Sequence, residues 1–214
     1  MNHAADNNLH TITLGMGCYW SPEALFGAVP GVVRTRVGFS GGTSEAPTYR
    51  SMGDHSETVE LQFDPAQVSY EDLLELFWNN HNPYNINGYK DRQYQSLLLY
   101  RNDEQEEAFR RIKSRIEGDK GSLLDTELAP FRAFYPAESR HQKYYLKRFP
   151  DAAAKLSLLY PSERELESST LAARLNGVAK GFLNLERLQR EMEQWPTPPG
   201  ELSGMLSLIR QIRW

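Results

Sequence analysis

Hydrophobic and polar residues alternate along the first half of the chain in short runs that are typical of β-strands. The clearest run covers residues 56–63, where Val59, Leu61 and Phe63 fall on one face and Glu60 falls on the opposite face. This alternation predicts a strand with one buried and one solvated face. Similar runs predict strands over residues 9–15, 32–39, 94–100 and 126–135.

Apolar residues at helical spacing lie between these strands. Ser21-Pro22-Glu23 supplies a capping oxygen, a proline and an early carboxylate, so it predicts the start of a helix over 21–29. Ser69 and Asp103 are predicted to cap the next two helices. Those helices cover 70–81 and 104–117, and further helical stripes cover 163–182, 184–195 and 202–214.

The order of these elements is β-α-β-β-α-β-α-β, followed by helices only. This order predicts an α+β fold, in the form of a ferredoxin-like two-layer sandwich of a mixed or antiparallel sheet packed with helices. We expect a catalytic domain over residues 9–149 and a helical C-terminal extension over 150–214.

Composition and charge narrow the possible functions. The chain has 214 residues, of which 40% are hydrophobic, and a formal net charge of −4, which argues against nucleic acid as a partner. No apolar run approaches the roughly 20 residues that a membrane span needs. The polar N-terminus has no signal-peptide pattern, and a single cysteine fits a reducing compartment, so we expect a cytoplasmic location.

Cys18 is the only cysteine, so it cannot form an intrachain disulfide or a cysteine metal site. Gly15 and Gly17 allow a tight turn beside it. The helix predicted to follow places the thiol near the positive end of a helix dipole, which favours the thiolate. A reactive nucleophile and a buried structural cysteine are both consistent with this local pattern.

Polar residues collect in three further loops, at residues 40–55, 81–94 and 134–142. A cysteine, carboxylates and tyrosines in such loops are suited to thiolate attack with proton delivery to a leaving oxygen. The histidines show no metal-ligand spacing, so no metal site is predicted. By default His55, His81 and His141 are loop or structural residues.

The motifs in these loops resemble those of the A-type peptide methionine-S-sulfoxide reductases, in the same order along residues 11–148. The first is Gly17-Cys18-Tyr19-Trp20-x-x-Glu23, where that family has Gly-Cys-Phe-Trp. The others are Thr35–Gly42, Pro47–Arg50, Gly53–Glu57-x-Val59, Phe63-Asp64-Pro65, His81-Asn82-Pro83, Gln93-Tyr94-x-Ser96 and Ala137-Glu138-x-x-His141-Gln142.

The resemblance implies that the Cys18 thiolate attacks the sulfoxide sulfur and is left as a sulfenic acid. It implies that Glu57 is partly buried, has a raised pKa and protonates the departing oxygen. Tyr49 and Tyr94 would donate hydrogen bonds to that oxygen. Tyr19 and Trp20 would form the apolar wall around the S-methyl group.

The chain departs from the family pattern at three places. Tyr19 stands where phenylalanine is usual, so the methyl pocket is more polar or the ring tip reaches solvent. The 82–93 loop is shorter than usual, and Asp91 is the nearest candidate for the family's catalytic-site aspartate. No resolving cysteine lies near the C-terminus, so the sulfenic acid needs an external thiol, such as thioredoxin, glutaredoxin or glutathione, or dithiothreitol in vitro.

The resemblance therefore predicts an enzyme without a bound cofactor that acts on oxidised proteins, peptides or free methionine-S-sulfoxide. By pattern alone, Glu57 is a solvated charge, Tyr49 and Tyr94 are half-buried aromatics, and Trp20 is a core residue. One alternative is a catalytically weakened redox sensor or sulfoxide-binding module that signals through the C-terminal helices. Another is an unrelated thiol enzyme.

Overall fold

A six-stranded mixed sheet lies at the centre of the molecule, in the order β5-β4-β1-β3-β2-β6. The computed structural model describes residues 8–84 and 92–214. The strands are β1 (His10–Met16), β2 (Val32–Ser40), β3 (Ser56–Phe63), β4 (Ser96–Tyr100), β5 (Glu127–Pro130) and β6 (Phe134–Pro136). The helices are α1 (Trp20–Gly27), α2 (Tyr70–Asn79), α3 (Asp103–Lys120), α4 (Tyr144–Lys147), α5 (Pro150–Leu156), α6 (Glu163–Glu167), α7 (Thr170–Lys180), α8 (Leu185–Met192) and α9 (Pro199–Arg210).

The four central strands pair antiparallel, and β5 joins β4 in parallel at one edge. One core lies between the sheet and helices α1, α2 and α3, and includes Leu14, Leu61, Phe77 and Phe109. This architecture confirms the predicted α+β class, whereas the ferredoxin-like detail stays a prediction.

The single strand predicted over residues 126–135 is wrong. β5 pairs with β4 at one edge of the sheet, and β6 pairs with β2 at the other. Six flat strands would place these edges about 24 Å apart, whereas the four residue steps from Pro130 to Phe134 span at most about 14 Å. The sheet must therefore curl so that its edges approach each other. Alternation along the chain gives no sign of a change of pairing partner.

Strand β3 is buried on both faces, which also differs from the prediction. Glu60, expected to face solvent, is only 6% exposed and forms ion pairs with Arg36 and Arg101. The buried charge is tolerated because two guanidinium groups pair with it within the curved sheet.

The helix starts agree with the sequence at one place and differ at two. Ser69 caps α2 as predicted and forms a capping box with Asp72. Asn102 caps α3, in place of Asp103, which is the first helical residue. Helix α1 begins at Trp20, so Tyr19 occupies the cap position and makes no side-chain cap bond. Ser21 lies within the first turn, where its hydroxyl is bonded to the Tyr145 hydroxyl at 2.9 Å.

The C-terminal helices have a second core of their own, and α7 also packs closely against α1. The predicted 163–182 helix is broken at Ser168, and Ser169 caps α7. The Arg174 guanidinium donates to the carbonyls of Gly27 and Val32, at 2.7 and 2.8 Å. Within the described ranges, no helix has the length and apolar character that crossing a membrane requires.

Candidate active site

Cys18 lies in the turn between β1 and α1, and Gly17 makes this turn with a φ of 82°. The residue is exposed at the surface, so it is not a structural core cysteine. The pKa of the thiol is raised, which differs from the expected preference for the thiolate. Atoms packed around the sulfur desolvate it and raise its pKa, and the charge of Glu57 adds to this effect. The hydrogen bond with the Trp20 backbone opposes the rise but does not cancel it.

Glu57 is the buried carboxyl of the site, with only 1% of its surface exposed. It is the second residue of β3 and lies opposite Phe39 of β2. Its Oε2 accepts the backbone N–H of Tyr19 at 3.1 Å, and its Oε1 accepts Gln93 Nε2 at 2.8 Å. Burial raises the pKa of Glu57, and these two hydrogen bonds limit the rise. Glu57 is therefore not the solvated charge that alternation alone favours.

Tyr94 ends a short 3-10 turn, Arg92–Tyr94, that is held at both sides. The Ser56 hydroxyl donates to the Arg92 carbonyl at 2.6 Å, and the Arg92 guanidinium forms two hydrogen bonds of 2.9 Å with Glu127. Burial raises the pKa of Tyr94, and the negative forms of Glu57, Tyr49 and Cys18 raise it further. Four of the predicted site residues therefore lie within electrostatic reach of one another.

Tyr49 lies in the loop between β2 and β3, which side chains hold in shape. The Asp54 carboxylate accepts the backbone N–H and the hydroxyl of both Thr43 and Ser44, at 2.7 to 2.9 Å. His55 accepts the Gly42 N–H at its Nδ1 and donates from Nε2 to the Ser44 carbonyl. These polar contacts hold the loop that carries Tyr49, whose ring also packs against a small apolar cluster with Tyr19 and Phe39.

An aromatic cluster, formed by Tyr19, Trp20, Tyr49, His141 and Tyr144, surrounds the turn that carries Cys18. The Trp20 indole stacks on the Tyr144 ring, with centroids 3.8 Å apart and planes 4° apart. Tyr49 stacks on His141 with a centroid distance of 4.7 Å, and the Tyr19 centroid lies 5.8 Å from that of His141. The faces of these rings are apolar, which suits a thioether or S-methyl group.

Three buried polar atoms in the aromatic cluster lack a hydrogen-bond partner among the described residues. They are the Tyr19 hydroxyl, Trp20 Nε1 and His141 Nδ1. Buried polar groups are nearly always paired, and leaving one unpaired costs about 1–3 kcal/mol. The Tyr19 hydroxyl is buried, so of the two sequence expectations for it, contact with solvent is wrong.

A buried ion pair joins the segment that carries His141 and Tyr144 to helix α1. Lys143 Nζ lies 2.7 Å from Glu23 Oε1, and the Lys143 N–H donates to Glu23 Oε2 at 2.7 Å. Both side chains are at most 1% exposed, and Thr35 supplies a further acceptor for the ammonium group. This pair fixes the Tyr144 ring against Trp20.

His81, the third histidine of the predicted site loops, is held by two hydrogen bonds. It donates from Nδ1 to the Phe77 carbonyl at 2.6 Å and accepts the Ser96 hydroxyl at Nε2 at 2.7 Å. Burial lowers its pKa, so it is neutral at physiological pH. Asp91, the candidate for the family's aspartate, lies outside the described residues.

The sequence patterns predict no role for Gln93, Lys143 or Tyr144, although Gln93 belongs to the Gln93-Tyr94-x-Ser96 motif. Gln93 is adjacent to Tyr94, a predicted site residue, and this adjacency was the available signal that Gln93 lies in the site, although its contact with Glu57 depends on the fold. Lys143 and Tyr144 follow directly after the last quoted motif. Nothing in their spacing shows that they reach α1, because that contact depends on the tertiary fold.

Comparisons with known proteins identify the family of this chain. The model of the peptide methionine sulfoxide reductase family matches residues 10–171. A Drosophila melanogaster protein named peptide methionine sulfoxide reductase is 43% identical over 190 residues, which make up 88% of this chain and 76% of that protein. Peptide methionine sulfoxide reductase MsrA of Methanococcus maripaludis is 40% identical over 148 residues, or 66% of this chain and 94% of that protein.

A solved structure has the same fold. It is that of methionine sulfoxide reductase A of Corynebacterium diphtheriae, with 32% sequence identity and a TM-score of 0.59. The alignment covers 69% of this chain and 78% of that one. The chain belongs to the peptide methionine sulfoxide reductase family.

Proposed function

We propose that the protein reduces methionine-S-sulfoxide, free or within peptides, with Cys18 as the nucleophile and Glu57 as the acid. One observation carries this proposal: the buried Glu57 carboxyl is bonded to the backbone of Tyr19, the residue next to Cys18. A nucleophile and a carboxyl with a raised pKa are thereby held together on adjoining elements.

In the proposed reaction the Cys18 sulfur attacks the sulfoxide sulfur while Glu57 gives its proton to the oxygen. The oxygen ends on the cysteine as a sulfenic acid, and methionine leaves as the thioether. The substrate sulfur gains two electrons and the cysteine sulfur loses two, so the step is balanced. Tyr49 and Tyr94 donate hydrogen bonds to the oxygen as charge develops on it.

Proton transfer within the Cys18–Glu57 pair reconciles the raised pKa of the thiol with this chemistry. A protonated thiol beside an ionised carboxylate carries the same number of protons as a thiolate beside a carboxylic acid. Movement of one proton from Cys18 to Glu57 therefore creates both reactive forms at once. The substrate oxygen then takes that proton from Glu57.

Recycling of Cys18 needs two external thiol groups. One thiol condenses with the sulfenic acid to give a mixed disulfide and water, and the second releases Cys18 and forms a disulfide with the first. Cys18 is the only cysteine of the chain, so we propose a thioredoxin- or glutaredoxin-type reductant or glutathione as the partner. This requirement is consistent with the proposed reducing, cytoplasmic location, and the proposed activity on peptidyl substrate would serve the repair of oxidised proteins.

We also propose a catalytic domain over residues 9–149 and a helical extension over 150–214, which packs on the domain rather than forming a free module. The contact between α7 and α1 supports this arrangement, and the family match reaches residue 171.

The decisive assay combines the protein, dithiothreitol and a peptide with one methionine-S-sulfoxide, and detects methionine by mass spectrometry. We expect turnover of the S epimer, none with Cys18→Ser, and a dimedone adduct on Cys18 when the reductant is limiting. The R epimer serves as a control substrate. A folded wild-type protein that binds the peptide without turning it over would instead support the sensor alternative.

A further inference from the structure

We propose that the Tyr19 hydroxyl is a third phenolic donor to the oxygen of the bound sulfoxide, beside Tyr49 and Tyr94. The inference rests on the proposed function, because it concerns the same substrate and the same site. It assigns a role to a hydroxyl that the usual phenylalanine at this position does not have.

The position of Tyr19 ties it to the reacting groups. It follows Cys18 directly, and its backbone N–H donates to Glu57 Oε2 at 3.1 Å. Its ring lies within the aromatic cluster, 6.4 Å from the Trp20 centroid and 5.8 Å from that of His141. Tyr19 therefore lies beside Glu57, the residue that gives its proton to the sulfoxide oxygen in the proposed reaction.

The hydroxyl lacks a protein partner although the ring is almost fully buried. Tyr19 is 1% exposed, and its hydroxyl bonds to no acceptor among the described residues. The hydroxyl is shielded from bulk water and has no acceptor among the described residues, so a bound ligand can supply one. An unpaired donor of this kind destabilises the free protein, and a bound acceptor removes that cost.

The charges around Tyr19 define the kind of ligand atom. Burial raises the pKa of Tyr19 far above the physiological range, and the negative forms of Glu57, Tyr49, Glu138 and Cys18 raise it further. The group therefore stays a neutral O–H donor that can bind an acceptor atom of a ligand. The sulfoxide oxygen is such an acceptor, whereas the thioether sulfur of the product is a weak one.

This difference between substrate and product provides the test. We would measure binding by calorimetry in the Cys18→Ser protein, which cannot react, with one peptide in its methionine-S-sulfoxide and its methionine form. Tyr19→Phe is expected to weaken binding of the sulfoxide peptide about 5- to 10-fold and to leave binding of the methionine peptide unchanged. The melting temperature of the free protein should not fall, because the removed hydroxyl was unpaired.

Tyr70→Phe is the matched control. The Tyr70 hydroxyl bonds to His10 at 3.1 Å and to Gln105 at 2.8 Å, away from the aromatic cluster. Its removal should lower the melting temperature and leave the preference for sulfoxide unchanged.

Three results would overturn the inference: equal weakening of both peptides by Tyr19→Phe, no weakening of either, or a fall in melting temperature like that of Tyr70→Phe. The proposed function is tested separately, by turnover in protein that retains Cys18. Sulfoxide-selective binding that depends on Tyr19, without turnover in the wild type, would contradict the proposed function alone.

Discussion

The backbone N–H of Tyr19 donates to the carboxylate of Glu57 at 3.1 Å, which connects the Cys18 turn to strand β3 near the centre of the sheet. This bond holds the acid of the proposed reaction one residue from the nucleophile. It also places two groups that lose protons close together, and the pKa of each is raised. The charge of Glu57 contributes to the raised pKa of Cys18, so the protonation of the thiol depends on that of the carboxyl.

Replacing Glu57 should have opposite effects on thiol reactivity and on catalysis. In Glu57→Gln the negative charge beside Cys18 is lost, so the pKa of the thiol falls and more thiolate is present at pH 8. Alkylation of Cys18 by iodoacetamide should become about two- to tenfold faster, while turnover of methionine-S-sulfoxide falls by about 10²–10³ without the acid. The single cysteine makes the alkylation rate specific to this site.

Glu45→Gln is the control for this pair of measurements, because Glu45 is an exposed residue of the loop between β2 and β3. It should change neither rate. Slower alkylation of Glu57→Gln, or full turnover by it at neutral pH, would contradict the proposed pairing.

The same carboxyl predicts how stability depends on pH. The pKa of Glu57 is raised in the folded protein. At a pH above the pKa of this carboxyl in the unfolded chain, near 4.3, unfolding therefore releases a proton. The wild type should therefore lose stability relative to Glu57→Gln between about pH 4.3 and the folded pKa of Glu57. Urea unfolding of both proteins at pH 4, 6 and 8 measures this difference. Parallel profiles would show that burial does not shift the carboxyl.

The stack between Trp20 and Tyr144 predicts a positioning role for Tyr144. Tyr144→Ala removes the ring that stacks on the Trp20 indole and fixes its orientation. An aromatic pair of this kind contributes about 0.5–1.5 kcal/mol. We expect kcat/KM for a sulfoxide peptide to fall about three- to tenfold, mainly through KM. Tyr144→Phe keeps the ring and should retain activity, although it loses the hydroxyl that Arg148 contacts at 2.9 Å. A similar loss in both variants would assign the effect to the hydroxyl instead.

The sequence could predict elements that local patterns encode. Ser69 caps its helix because the capping box lies within four residues, and β3 was found by its alternation. The split of residues 126–135 was missed, because the change from one sheet edge to the other depends on the curl of the whole sheet. The burial of Glu60 also depends on the tertiary fold, because it requires two arginines that lie far from Glu60 in the sequence.

In the site, ordered motifs identified residues that no single pattern could. Alternation alone predicts that Glu57 is a solvated charge. Only its place in the Gly53–Glu57-x-Val59 motif indicates that it is buried. The raised pKa of Cys18 was missed, because a helix N-terminus is visible in the sequence but the desolvating walls are not. Lys143 was overlooked because its partner, Glu23, lies 120 residues away.

The buried pair of Glu23 and Lys143 predicts strong coupling between their substitutions. Each single variant, Glu23→Gln or Lys143→Met, leaves one charge buried without its partner and should cost about 3–5 kcal/mol of stability. The double variant should cost clearly less than the sum, because no unpaired charge remains. Urea unfolding of the four proteins gives the coupling energy as a double-mutant cycle. Additive losses would mean that the two side chains act independently.

The contact between α1 and α7 predicts that two glycines hold the C-terminal helices against the active site. A Cβ on Gly27 would lie 2.5 Å from the Ala173 carbonyl oxygen, and one on Gly177 would lie 2.8 Å from the Ala28 Cβ. Gly27→Ala and Gly177→Ala should therefore push the helices apart and cost about 1–3 kcal/mol. Helix α1 starts two residues after Cys18, so both variants should also lower kcat/KM when assayed well below their melting temperatures.

Gly204→Ala is the matched control, because Gly204 lies within α9 and a Cβ there meets nothing within 4 Å. In that variant the better helix former should raise stability by about 0.5–1 kcal/mol and leave activity unchanged. If alanine at Gly27 and Gly177 is tolerated as well as at Gly204, then α7 does not press on α1. The C-terminal helices would then have no part in positioning the turn that carries Cys18.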